Sequence, residues 1–75
     1  MKNIFIKHWS YSLQENEGGE FIISVLCGTI GLYEKRMILS EIEKKHFEIS
    51  GEGFLDELAD DIRNSHKYEH RIIVV

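Results

Sequence analysis

Two pairs of carboxylates stand four residues apart, Asp56 with Asp60 and Glu57 with Asp61, a spacing that sets each pair on one side of a helix. Such pairs bind Mg²⁺ or share a proton in acid/base chemistry, but only in a concave, water-poor site that shifts their pKa values. A convex helix face in a short chain offers no such site, so the pairs read as non-catalytic. Four histidines, His8, His46, His66 and His70, raise a metal hypothesis. His66 and His70 fall in a segment that reads as extended, where four residues span roughly 13 Å. Neither an HExxH nor a paired CxxC arrangement accompanies them, so no metal and no cofactor are expected. Cys27 lies in an apolar run without a basic neighbour and reads as a small buried hydrophobe rather than a nucleophile. Gly28-Thr29-Ile30-Gly31 lacks the spacing and the lysine of a phosphate-binding loop.

The acids matter more as a group. Glu52, Asp56, Glu57, Asp60 and Asp61 form a run of five carboxylates without a lysine. At about 100° per residue they fill one half of a helical wheel, and Phe54, Leu55, Leu58, Ala59 and Ile62 fill the other. The segment is therefore both buried and displayed. Like charges at helical spacing repel, and Arg63 is the first basic residue to follow, so an outside cation is the expected source of relief. A merely solvated face is the alternative. Tyr11 and Tyr33 join the acids as candidate partner-binding residues, because aromatic side chains weigh heavily in binding hot spots. Trp9 alternates with Phe5 and is expected in the core.

The elements that must position these groups fit one domain over residues 1–75. At 75 residues a single core barely outweighs the entropy of folding, and a second copy or a partner would help. One cysteine allows no internal disulfide and suits a reducing, cytosolic location. Lys7 and His8 cut the amino-terminal apolar run short of a signal-peptide core, and Phe21 to Cys27 is far below the roughly 20 residues of a membrane helix. Residues 39–75 carry nine acids against five bases, which holds the whole net charge of −4. That sign disfavours direct contact with DNA or RNA, although Lys35, Arg36, Lys44 and Lys45 form a local basic patch.

Residues 3–13 alternate with period two and predict a first strand. Gln14 to Glu20 with its Gly18-Gly19 pair predicts a hairpin loop, and the apolar run Phe21 to Cys27 predicts a central strand covered on both faces. Gly28 and Gly31 mark a turn or bulge before a third strand, Leu32 to Leu39. Ser40-Glu41-Ile42-Glu43 matches a capping box and starts a short helix reaching about Phe47. A long helix starts at Ser50 to Gly53 and frays at Asn64 and Ser65, and Tyr68 to Val75 returns as a final strand. That terminal strand also reads as an exposed edge able to pair in a homodimer. The predicted fold is α+β: a four-stranded, mainly antiparallel sheet with both helices on one face, in the order β-β-β-α-α-β.

In its size, its acidic helix Glu52 to Asp61, and segments such as Phe21 to Gly31 and Gly53-Phe54-Leu55-Asp56-Glu57-Leu58-Ala59, the chain resembles the small acidic immunity proteins that bacteria pair with toxins. The resemblance implies toxin binding without catalysis, the basic partner being a toxin domain such as a nuclease. The alternative is a small homo-oligomeric regulatory or interaction subunit whose edges or aromatics make the contacts.

Overall fold

The alternation that predicts one strand over residues 3–13 is interrupted by a reversal in the computed structural model, which describes residues 2–28 and 31–75. Strand β1 (Lys2–Lys7) turns back at His8-Trp9-Ser10 into β2 (Tyr11–Glu15). The turn closes with the Ser10 N–H donating to Lys7 O at 3.0 Å, and Trp9 takes φ = 62°. Lys7 pairs with Tyr11, an even offset, so odd-numbered residues stay on the core side through the turn. The period-two pattern runs across the reversal unbroken, and no glycine or proline marks it.

The sheet therefore has five strands rather than four: β1, β2, β3 (Phe21–Cys27), β4 (Tyr33–Ile38) and β5 (Ile73–Val74), all antiparallel and neighbouring in that order. The chain order is β-β-β-β-α-α-β. The β2–β3 loop forms where the glycines and Asn16 predict it; Asn16 Oδ1 accepts from the Glu20 N–H at 2.9 Å and Gly19 takes φ = 80°. In the next connection Gly28 holds φ = 102°, and a Cβ there would collide with the Gly31 carbonyl. The rest of that turn, Thr29 and Ile30, lies outside the described residues.

Helix α1 (Glu41–Ser50) starts on the predicted capping box: the Glu43 N–H donates to Ser40 Oγ at 3.3 Å, and the Ser40 N–H to Glu43 Oε1 at 2.7 Å. It runs past Phe47 to Ser50 because Gly51 alone, at φ = 62°, ends α1 and begins α2 (Glu52–Asn64). Leu55, Leu58, Ala59 and Ile62 of α2 are buried with Leu13, Ile23, Val25, Met37 and Leu39. Phe47 of α1 meets the edge of Phe21, ring centroids 6.2 Å apart.

Both helices cover one face only, so β3 is not sandwiched as predicted. On the core face the cross-strand rows are Phe5, Leu13, Ile23, Met37 and Lys7, Tyr11, Val25, Lys35, Val74. On the open face one row runs Ile6, Ser12, Ser24, Arg36, Ile73, flanked by Gln14, Ile22, Ile38 and by Leu26, Glu34. The last predicted strand also shortens. Tyr68 packs against the core, Glu69–Arg71 form a 3-10 turn, and the strand is reduced to Ile73–Val74, with Val75 continuing the backbone bonds to Glu34 of β4. Arg71 holds that turn down by donating to Glu43 at 2.8 and 3.1 Å and to Ile38 O at 2.8 Å. His66 and His70 thus lie in a turn and a 3-10 segment, not on an extended strand.

Candidate functional site

The acidic side of α2 divides in two. Asp56 accepts from the Tyr11 hydroxyl at 2.6 Å and from Lys7 Nζ at 3.0 Å, and Glu52 stands 3.4 Å from the same ammonium. Relief for these acids comes from the molecule's own β1, brought over by the β1–β2 reversal that the sequence concealed. Hydrogen bonds from Tyr11 and then Lys7 hold the Asp56 carboxyl below the usual aspartate range. Burial first, and the bond to Asp56 second, push the Tyr11 hydroxyl well above its ordinary value, while Asp56 raises Lys7. Each shift strengthens the charge state already present at neutral pH, so the cluster binds α2 to the hairpin and has no group poised to exchange a proton.

Glu57, Asp60 and Asp61 make up the other half. Asp60 lies 3.9 Å from Arg63 on the same helix, and among the described residues neither Glu57 nor Asp61 enters an ion pair. Tyr11 is buried beneath α2 and is closed to a partner. Tyr33 is partly exposed beside a shallow cleft with Leu26, Leu32 and Val75, away from the acids. The predicted set Glu52, Asp56, Glu57, Asp60, Asp61, Tyr11 and Tyr33 is therefore not one surface. Three of the four residues of the basic patch are likewise committed elsewhere: Lys35 donates to Ile62 O, Arg36 pairs with Glu34, and Lys44 donates to Gly19 O while lying 4.8 Å over the Phe21 ring, whereas Lys45 is exposed. Among the described residues no three His, Cys, Asp or Glu side chains gather as metal ligands, and no helix is long and apolar enough to cross a membrane. Cys27 is buried, as its apolar strand predicts.

Trp9 is the residue that the sequence misplaced. Instead of joining the core it is 75% exposed, at the second central position of the β1–β2 turn. Positive φ there ordinarily selects glycine or asparagine, and a bulky side chain costs about 1–2 kcal/mol. The turn beneath it is held from three sides. Ser10 O accepts from the Leu26 N–H at 2.8 Å and from Arg63 at 3.2 Å, and Arg63 Nε donates to Leu26 O at 3.2 Å. The His8 ring meets Trp9 edge-on with centroids 5.3 Å apart. Below the indole, Ile6, Ser12, Ser24, Leu26 and Glu34 line an open cavity of about 260 Å³ on the uncovered face. One sign was available in the sequence: a strand over residues 3–13 is roughly twice the mean strand length.

Comparison with protein families, with curated proteins and with solved structures found no match to this chain.

Proposed function

We propose that this chain is a non-catalytic protein-interaction module whose partner seats on the open sheet face at the Trp9 turn. One observation carries the reading: a tryptophan held at positive φ, exposed, on a turn that Arg63, Leu26 and Lys7 immobilise. Backbone strain at an exposed aromatic contributes nothing to folding, and such strain concentrates at binding sites. A rigid aromatic anchor beside a small apolar cavity is also the chemistry of interface hot spots. Beside them the partly exposed Ser12 hydroxyl supplies a hydrogen-bonding group that helps to fix orientation.

Trp9→Gly separates binding from folding. Glycine relaxes the turn, so the unfolding midpoint should hold or rise by a few degrees, while capture of a partner from cell extract is lost. A midpoint lowered by more than about 5 °C with the partner still captured would assign Trp9 to the fold and end this reading.

A second reading rests on Glu57 and Asp60, which are exposed on α2, and on the half-buried Asp61 beside them. In it the chain neutralises a basic protein, a toxin domain such as a nuclease, in the manner of the immunity proteins that this helix resembles. Opposed charges accelerate encounter, so association should slow steeply as salt rises. Changing these three acids to lysine should abolish that binding without unfolding the chain; Asp56 is left unchanged because its carboxylate fastens the helix to Tyr11 and Lys7. An association rate indifferent to salt removes this second reading.

A further inference from the structure

We infer that β5 is a self-pairing edge, along which a second copy of this chain adds its own β5 antiparallel and joins the two sheets. The sheet ends in two edges of opposite character. β1 carries Lys2 and Lys7 at its ends and a bulge between Asn3 and Phe5, devices that discourage pairing. Full antiparallel overlap of β1 with itself would set Lys2 against Lys7 of the second copy, opposing like charges.

β5 has no such guard. Ile73, Val74 and Val75 are 63%, 64% and 59% exposed, and none is charged. Val75 exchanges backbone bonds with Glu34 at 2.9 and 3.3 Å, so the alternation of an antiparallel ladder turns the Val74 N–H and C=O to the outer side. With Val74 on a two-fold axis, those groups pair with their own equivalents, and Ile73 faces Val75 of the second copy. A two-fold contact must be self-complementary. In a chain of net charge −4, the absence of charged side chains at Ile73, Val74 and Val75 favours this strip for the approach of two copies. The strip continues into a groove of about 430 Å³ lined by Ile22, Ile38, Ile73 and Val75, whose two arginines are already committed, Arg36 to Glu34 and Arg71 to Glu43. Leu32, Tyr33 and Ile38 are exposed beside the edge and extend its apolar surface, but so few residues make a contact smaller than the roughly 800 Å² per partner of a standard interface. The dimer is accordingly weak.

Sedimentation velocity on the whole chain from about 10 µM to about 1 mM should resolve this monomer–dimer equilibrium. Val74→Pro removes the outward N–H and spares the bonds to β4, so it should raise the dissociation constant roughly tenfold or more while leaving circular dichroism and the unfolding midpoint of the monomer unchanged. Val74→Glu keeps the backbone intact, faces Lys35 within its own copy and sets two carboxylates across the axis, and it should give the same loss even where proline disturbs the strand. A chain monomeric at 1 mM, a dimer that survives Val74→Glu, or growth beyond dimers through β1–β5 pairing would each overturn the assignment. Trp9 takes no part in this contact, so either result leaves the partner site of the preceding section to its own test.

Discussion

The two faces of the sheet draw on similar strand residues and come to different ends. Leu13, Ile23, Val25 and Met37 are sealed beneath α2, whereas Ile6, Ile38 and Ile73, one pleat away, stay in water. What differs is the neighbour and not the side chain. Among the described residues α2, with four buried residues, and α1, which packs Phe47 against the core and buries none fully, lie on one side only, and no helix covers the other. The polar equipment follows the same division. On the helix side Lys7, Tyr11 and Asp56 bind sheet to helix; on the open side Glu34 and Arg36 pair with each other at 3.1 Å and leave the apolar corners displayed.

The comparison breaks most visibly from the covered side. Leu55→Ala opens a cavity under the sheet and should cost about 2–5 kcal/mol, lowering Tm by roughly 10 °C or more. A loss below about 1 kcal/mol in chemical denaturation would mean that α2 does not seal the core. The fastening between helix and hairpin is sharpened by acid. Because the Asp56 pKa is depressed in the folded protein, its contribution is present above the unfolded value near 3.9 and is lost as pH falls through the lower folded value. Glu43 adds to this window: burial pushes it up, but hydrogen bonds from Arg71 and Ser40 outweigh burial and hold it low. Stability should fall as pH drops below about 4, and Asp56→Asn should flatten that fall. An unaltered acid limb in the Asn variant would show that Tyr11 and Lys7 gain nothing from the charge. The smallest effect belongs to the open side, where Ile6→Ser should change stability by no more than about 0.5 kcal/mol. A loss of about 2 kcal/mol or more would make that face part of the core.

Much of this division was legible in the residues. The wheel over Glu52 to Ile62 named the buried side of α2, Ser40-Glu41-Ile42-Glu43 named the start of α1, and Asn16 with Gly18-Gly19 named a hairpin, because each signal is local and stereochemical. Two things were not legible. The β1–β2 reversal keeps the alternation in phase and uses Trp9 where glycine is usual, so only the unusual length of the run hints at it. The fate of the acids then depended on that reversal, since it is the returning hairpin that carries Lys7 to Asp56 and Glu52. Charge pairing between residues 49 positions apart is a tertiary fact that no helical wheel contains. Trp9 departs from its expected core position for the same reason: its alternation with Phe5 is real, but the chain has already turned.

Four strands that each lie beside the next in the chain make a meander whose contacts close over short loops. Such pairings form early and quickly, since little chain entropy is spent bringing neighbours together. β5 is the exception, for it reaches β4 only after both helices have been laid down between them. Disassembly should thus reverse the order of assembly. The carboxy-terminal ribbon arrives last and lifts first, and its amides should trade hydrogen for deuterium while β2 and β3 remain shut.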